Sequence, residues 1–177
     1  MERLIKGGRV ATDNWRRLEA QHWLRTGEDG LLPDLPDDAD LVAPLALWRV
    51  RKDELLARGG RSGVLLEAHE GPEQIAADLG RLALVAVNFP KFGDGRGYST
   101  ARLLRERYRY SGELRATGDV LRDQLLFLSR AGFDAFELRA DRDPHAALAA
   151  FGELSEQYQA SPTEPLPLFR RRLARGA

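Results

Sequence analysis

The segment from residue 89 to residue 100 combines the residue types that bind small anions. It reads FPKFGDGRGYST, with three glycines within five residues and with Lys91 and Arg96 supplying positive charge. Glycines permit close backbone approach, and free amides at a helix start attract oxyanions, so this segment is a candidate anion site with Ser99 as a helix N-cap. Glycine turns that end in a capped helix also occur without any ligand. The candidate anion- or partner-binding residues here are Asp94, Gly95, Arg96, Gly97, Ser99, Arg102 and Arg105.

A second candidate segment, at residues 113–124, carries three acidic residues. Glu113, Arg115 and Thr117 alternate along a predicted strand and therefore share one face, where Glu113 and Arg115 are placed to form an ion pair. The loop that follows predicts a helix N-cap at Asp119. Candidate acid or base groups are Glu113, Asp119 and Asp123. The binding set is completed by Arg115, Gly118, Asp119 and Gln124.

Composition excludes several kinds of chemistry. The chain contains no cysteine, so it has no disulfide, no thiolate nucleophile and no cysteine-based metal site. Its three histidines are scattered, which predicts no metal centre. The Gly95 and Gly97 pair is a weak nucleotide signal, because Thr100 replaces the third small residue of the fingerprint and Arg115 stands where an acid is expected.

Charge and hydropathy indicate the surroundings of the protein. The 27 basic and 27 acidic residues balance, which disfavours nucleic acid and anionic membranes as partners. The sequence has neither an N-terminal signal pattern nor an apolar run long enough to span a membrane. We therefore expect a cytoplasmic protein.

Between residues 62 and 160, short apolar runs alternate with segments of helical period. The pattern predicts an α/β fold of consecutive βα units forming a parallel sheet, either open or curled into a half-barrel. The loops at the carboxyl ends of such strands share one rim, so the two candidate segments should meet there. Asp143 and Pro144 predict the start of the last helix. The predicted strands are 63–68, 83–89, 113–117 and 135–140, and the predicted helices are 72–82, 99–109, 119–131 and 144–159.

The remainder of the chain divides into two flanking parts. Residues 1–60 predict a hairpin at 4–11, an acidic loop at 28–40 and a helix at 45–58, all packed on the core at 61–160. Residues 161–177 form a basic tail whose prolines favour extended structure over 161–169. The basic tail could pair with the acidic loop of the same chain or of a second copy.

A long part of the chain resembles a known family. The stretch FPKFGDGRGYSTARLLRERY, continued by GELRATGDVLRDQLLFLSRAGFDAFEL, is similar to uncharacterised proteobacterial proteins encoded beside the assimilatory sulfite reductase haemoprotein and often labelled probable oxidoreductases of sulfite reduction. The resemblance implies a role in sulfate assimilation and cysteine biosynthesis, with that haemoprotein or its electron donor as partner. It supplies no catalytic residues.

Two functional hypotheses follow from these observations. The first is an accessory protein that acts with sulfite reductase and binds a sulfur oxyanion at the glycine-arginine loop. The second is a stand-alone oxidoreductase that binds a nucleotide or flavin on the same rim. A chain without cysteine needs a bound cofactor for electron transfer, and the sequence does not identify one.

Overall fold

The computed structural model describes residues 3–152, 160–162 and 164–175. The strands are β1 (Leu4–Lys6), β2 (Arg9–Ala11), β3 (Trp15–Arg17), β4 (Asp40–Pro44), β5 (Ser62–Leu66), β6 (Leu84–Phe89), β7 (Glu113–Gly118) and β8 (Ala135–Glu137). The α-helices are α1 (Ala20–Trp23), α2 (Leu45–Ala57), α3 (Arg96–Arg102), α4 (Leu125–Ala131), α5 (Pro144–Ala147) and α6 (Leu168–Arg175). The 3-10 helices are Pro72–Arg81, Arg122–Gln124 and Leu148–Gly152, and Leu103–Arg107 is a π-helical turn.

All eight strands belong to one mixed sheet, in the order β2-β1-β8-β7-β6-β5-β4-β3. Strands β5 to β8 are parallel, as the alternation of strands and helices between residues 62 and 160 predicts, and β3 and β4 are two further parallel strands that were not predicted. The prediction of a purely parallel sheet is wrong, because the N-terminal hairpin β1–β2 joins the edge of β8 in the antiparallel sense. Strands β3 and β4 lengthen the other edge, and at three and five residues they are too short to show periodicity.

The connection between β2 and β3 requires the sheet to curl. These strands are at opposite edges, and in a flat sheet seven spacings of about 4.8 Å would separate them by about 34 Å. Only residues 12–14 join Ala11 to Trp15, and four Cα steps of about 3.8 Å span at most about 15 Å. The sheet is therefore a curled open sheet, the half-barrel alternative of the prediction.

The two faces of the sheet have different surroundings. On the convex face, side chains such as Leu66, Val87 and Ala116 are buried in the main hydrophobic core. On the concave face, a small separate cluster consists of Val42, Leu65, Leu84 and Ala86, with Trp15 against it. The burial of β6 on both faces agrees with its continuous apolar sequence.

Several predicted helices are present with different bounds. The helix expected at 99–109 begins earlier, at Arg96, and the one expected at 119–131 becomes a short 3-10 turn and α4. Asp143 accepts a hydrogen bond from the His145 amide and precedes Pro144, as predicted for that helix start. The helix expected at 144–159 is seen as α5 and a 3-10 helix up to Gly152, and 153–159 lie outside the described residues.

In the tail, the described residues 160–162 and 164–167 contain no helix, as the prolines predict, and helix α6 begins at Leu168, the second-last residue of the stretch expected to be extended. No helix within the described ranges has the length and apolar character that crossing a membrane requires.

Gly118, at the carboxyl end of β7, occupies a backbone conformation that other residues adopt at a cost. Its φ is +96°, and a Cβ atom there would lie 2.5 Å from the Phe89 carbonyl oxygen. We expect Gly118→Ala to lower the free energy of unfolding by about 1–3 kcal/mol in urea titrations. The control, Gly93→Ala, adds a methyl group in open space and should change it by less than about 0.5 kcal/mol. Equal effects of the two substitutions would contradict the claim that the positive φ of Gly118 and its closeness to Phe89 require a glycine there.

Candidate functional site

The two loops that the sequence singles out do lie together, at the carboxyl ends of β6 and β7. The Phe92 amide donates a hydrogen bond to Asp119 Oδ2 at 2.9 Å, and Gln124 Nε2 donates to the Phe92 carbonyl at 3.1 Å. The Asp119 amide also donates to the Phe89 carbonyl at 2.7 Å. These bonds join the glycine-arginine loop to the start of the next helical segment.

The two arginines near this loop are already engaged by protein groups, whereas Lys91 is exposed and forms no salt bridge among the described residues. Arg96 forms a salt bridge with Asp94 at 2.6 Å, and its hydrogen bonds to that carboxylate hold the pKa of Asp94 at about 2. Arg102 pairs with Glu106 one helical turn away, at 3.2 Å. An oxyanion at the loop would therefore compete with the carboxylates of the protein.

Arg105 acts at the opposite end of the strands. It donates hydrogen bonds to the carbonyls of Tyr110, Gly112 and Gly132, and it forms a salt bridge with Asp134 at 2.8 Å. Gly112 and Asp134 lie just before β7 and β8, so Arg105 ties the amino-end loops together. The structure thus separates Arg105 from the other residues of the predicted site.

The predictions of Ser99 and Asp119 as helix N-caps are wrong. Ser99 lies inside α3, whose N-cap is Gly95, and a Cβ atom on Gly97 would lie 2.5 Å from the Phe89 ring. Gly97 therefore permits packing of α3 on β6 and does not open a cradle for a ligand. Asp119 is not an N-cap either, because Leu121 precedes the 3-10 helix. The Asp119 carboxylate instead accepts hydrogen bonds from Phe92 and from Arg139, while the Asp123 side chain is exposed.

The predicted ion pair of Glu113 and Arg115 is confirmed, and it is buried on the concave face. Arg115 Nη2 lies 2.7 Å from Glu113 Oε1, and the two side chains are only 4% and 7% exposed. Arg115 Nη1 also contacts Asp13, in the β2–β3 connection, at 2.8 Å. Lys6 of β1 reaches Glu113 from the hairpin. The hairpin and the connection therefore cover this end of the face with charged side chains.

A row of polar side chains crosses the carboxyl end of the same face. Glu67, Asn88, Thr117 and Glu137 lie on or directly after the neighbouring strands β5, β6, β7 and β8. Asn88 Nδ2 donates to Glu67 Oε2 at 2.7 Å, Asn88 and Thr117 are register partners, and Thr117 Oγ1 donates to Glu137 Oε2 at 2.6 Å. We call these four residues the concave polar row.

Two arginines approach this row from the N-terminal strands. Arg17 Nη2, from β3, donates to Thr117 Oγ1 and to Glu137 Oε2, both at 2.9 Å. Arg3 Nη2 lies 3.6 Å from Glu137 Oε1. The Arg17 and Arg3 side chains remain 46% and 39% exposed. Within the described ranges, Nε and Nη1 of Arg17 have no hydrogen-bond acceptor, so these donors are available to a ligand.

A cavity of about 280 Å³ lies beside these arginines. Three arginines and two carboxylates provide its polar lining, and β4 and β6 provide an apolar floor. A small anion with several acceptor oxygens matches guanidinium donors of this kind. The lining residues are Arg3, Asp13, Trp15, Arg17, Val42, Leu84, Ala86, Arg115 and Glu137.

Most of the concave residues are absent from the sequence-based candidates. Glu67 and Asn88 are the polar residues near the ends of the apolar strand segments GVLLEA and ALVAVNF, and Glu137 lies between Phe136 and Leu138 in AFELRA. A polar residue inside an apolar strand segment is a signal that could have identified them. Arg17 has no comparable local signal, since its partners are 100 and 120 residues away in the chain. Among the residues that the structure describes, no group of three or more potential ligands could hold a metal ion.

Comparison with known proteins gives one match. A family model described as "Bacterial protein of unknown function (DUF934)" matches residues 63–169, which is more than half of the chain. No curated protein and no solved structure matches.

The buried Arg115 is the residue whose removal should destabilise the concave face most directly. We expect Arg115→Met to lower the free energy of unfolding by about 3 kcal/mol, the low end of the cost of breaking a buried pair, because Glu113 keeps a buried charge with only Lys6 beside it. Adding Glu113→Leu in the same chain should recover a large part of this loss, since an apolar pair replaces the ion pair. Thermal and urea unfolding of both variants measure the difference. A double variant less stable than Arg115→Met alone would contradict the claim that the unpaired Glu113 charge causes the loss of stability.

Proposed function

The chain belongs to this bacterial family of unknown function, and we propose that it is an accessory protein of assimilatory sulfite reduction that binds a small oxyanion. The resemblance of residues 89–108 and 112–138 supports the pathway and the partner, the sulfite reductase haemoprotein or its electron donor. The arrangement of the concave face supports the ligand.

The observation that carries the binding proposal is Arg17. Its guanidinium offers five N–H donors, and the two bonds to Thr117 and Glu137 both use Nη2. The remaining Nε–H and Nη1–H groups lie in the guanidinium plane, and each can donate a hydrogen bond to an oxygen of an anion. Because Glu137 fixes the position of Arg17, the arginine loses little side-chain freedom when a ligand binds.

The charge balance of the cavity lining also favours an anion. Three arginines and two carboxylates line the cavity, which leaves one positive charge in excess. The arginines are Arg3, Arg17 and Arg115, and the carboxylates are Asp13 and Glu137. The cavity has the liquid volume of roughly nine water molecules, which is ample for a sulfite or sulfate ion.

This proposal places the oxyanion at a different position from the glycine-arginine loop. At the loop, Asp94 and Glu106 already neutralise Arg96 and Arg102. The loop instead forms the outer surface next to the concave mouth, through the contacts of Phe92 with Asp119 and Gln124. It is therefore the part of this rim that we assign to contact with the partner protein.

The alternative of a stand-alone oxidoreductase has less support. It depends on the Gly95 and Gly97 pair as a nucleotide loop, whereas Gly97 packs against Phe89. Arg115, which stands where a dinucleotide-binding acid is expected, is buried against Glu113 and Asp13.

Calorimetric titration with sulfite and with sulfate, at constant ionic strength, tests the ligand. We expect the wild-type protein to bind at least one of them and Arg17→Gln to weaken that binding by about 10- to 100-fold, the loss typical of a hydrogen bond to a charged group. The matched control is Arg102→Gln, which removes the same charge from a surface pair outside the cavity. Binding that is absent in the wild type, or equally weakened in both variants, would refute the anion site.

Deletion of the gene tests the pathway. We expect the deletion strain to grow slowly with sulfate as the sole sulfur source and normally with cysteine, because only the first condition requires sulfite reduction. Affinity-tagged protein should copurify with the haemoprotein or its electron donor. Unchanged sulfite reduction together with no association would exclude the accessory role.

A further inference from the structure

The charges of this chain are segregated in its sequence, and the structure leaves many of them exposed. Residues 28–40, here named the acidic segment, contain six acidic residues and no basic one. Glu28, Asp34 and Asp38 are exposed and have no hydrogen-bond or ion-pair partner among the described residues. Helix α6 carries Arg170 and Arg172, which are also exposed and have no carboxylate partner within the described ranges.

Exposed apolar side chains accompany both charged surfaces. Phe169 and Leu173 of α6 are 52% and 72% exposed, and their spacing of four residues places them on one side of the helix. Leu166, just before α6, is 46% exposed. In the acidic segment, Leu31 is 67% exposed among carboxylates. Apolar groups bordered by opposite charges on two surfaces are typical of surfaces that bind each other.

Within one chain, the two surfaces pack against different parts of the fold. Arg58, at the end of α2, donates to the Ala39 carbonyl, and the Gly60 amide donates to the Asp37 carbonyl, which fixes the acidic segment beside β4 and β5. Residues 160–162, which precede α6, line a groove with Arg102 of α3 and with Gly132, which follows α4. This groove lies away from β4 and the acidic segment, toward β7 and β8 in the order of the strands. No hydrogen bond or ion pair between described residues joins the acidic segment to α6.

We propose that two copies of this chain associate, with α6 of each copy bound to the acidic segment of the other. Such an arrangement contains the same contact twice and closes as a symmetric dimer. A net charge of zero means that two copies do not repel each other overall. This proposal is independent of the concave anion site, because neither Arg17 nor Arg3 belongs to these surfaces.

The apolar and charged groups have different tasks in this dimer. Exposed ion pairs contribute little each and are screened by salt, so the arginines and carboxylates select the partner surface and its orientation. The burial of Phe169 and Leu173 against Leu31 supplies the affinity.

Sedimentation analysis of the full-length protein over a range of concentrations tests the dimer. We expect a monomer–dimer equilibrium that weakens by roughly tenfold or more as NaCl rises from about 0.1 M to about 1 M, over which the screening length falls from about 10 Å to about 3 Å. Phe169→Ala should also shift the equilibrium toward monomer. The matched control is Phe92→Ala, since Phe92, after β6, is 50% exposed and lies outside both surfaces. A protein that is monomeric at every concentration, or that responds equally to both substitutions, would overturn the proposal.

Charge reversal provides a specific second test. One variant carries Arg170→Glu and Arg172→Glu, and the other carries Asp34→Lys and Asp38→Lys. Each alone should be mainly monomeric, because both of its reciprocal contacts join like charges. An equimolar mixture should form a mixed dimer, because both contacts again join opposite charges. Circular dichroism checks that each variant is folded, and two folded variants that remain monomeric when mixed would disprove the pairing.

Discussion

The three residues between β2 and β3 impose the curvature on which the concave surface depends. They connect the outermost strands of an eight-stranded sheet, so those strands must approach each other. Asp13 lies within this connection and binds Arg115 in the middle of the face. The link therefore fixes the backbone path and also supplies one of the charges that the enclosed arginine requires. Side chains that are distant in sequence, such as Arg17 and Glu137, come within hydrogen-bond distance for the same reason.

Curvature also explains why one sheet has two different interiors. The helices cover the convex face, and its side chains form a continuous apolar core. On the concave face, the side chains of the sheet and of the N-terminal strands line the space and leave the cavity of about 280 Å³ between them. Long arginine and glutamate side chains reach across this space, whereas Gly63 packs closely against Leu84. Buried ion pairs seldom increase stability over an apolar filling, and the charges here are consistent with the proposed binding of an anion.

The sequence predicts the parts of the fold whose signals are local. Strands β5 and β6 are short apolar runs, and Glu113 and Arg115 of β7 share a face through their spacing of two. The meeting of Phe92 with Asp119 follows from the rule that parallel strands end at a common rim. The exact helix starts were less predictable, because Asp119 and Ser99 have the residue types of N-caps. Asp119 instead accepts hydrogen bonds from Phe92 and Arg139, and Ser99 lies inside α3. Strands β3 and β4 lack a sequence pattern that predicts them, and they form because they pair with neighbouring strands of the sheet. The Arg17 contacts depend on closure of the whole sheet, which no local window of sequence contains.

The short outer strands have a further consequence for the behaviour of the protein at high concentration. Strands at the margin of a sheet present unpaired amide and carbonyl groups, onto which strands of other molecules can add to begin a fibril. Here both marginal strands, β2 and β3, contain only three residues each, and their connection draws them toward each other. Little extended backbone is left for an incoming strand. The same bend that creates the concave surface thus protects the protein against edge-to-edge aggregation.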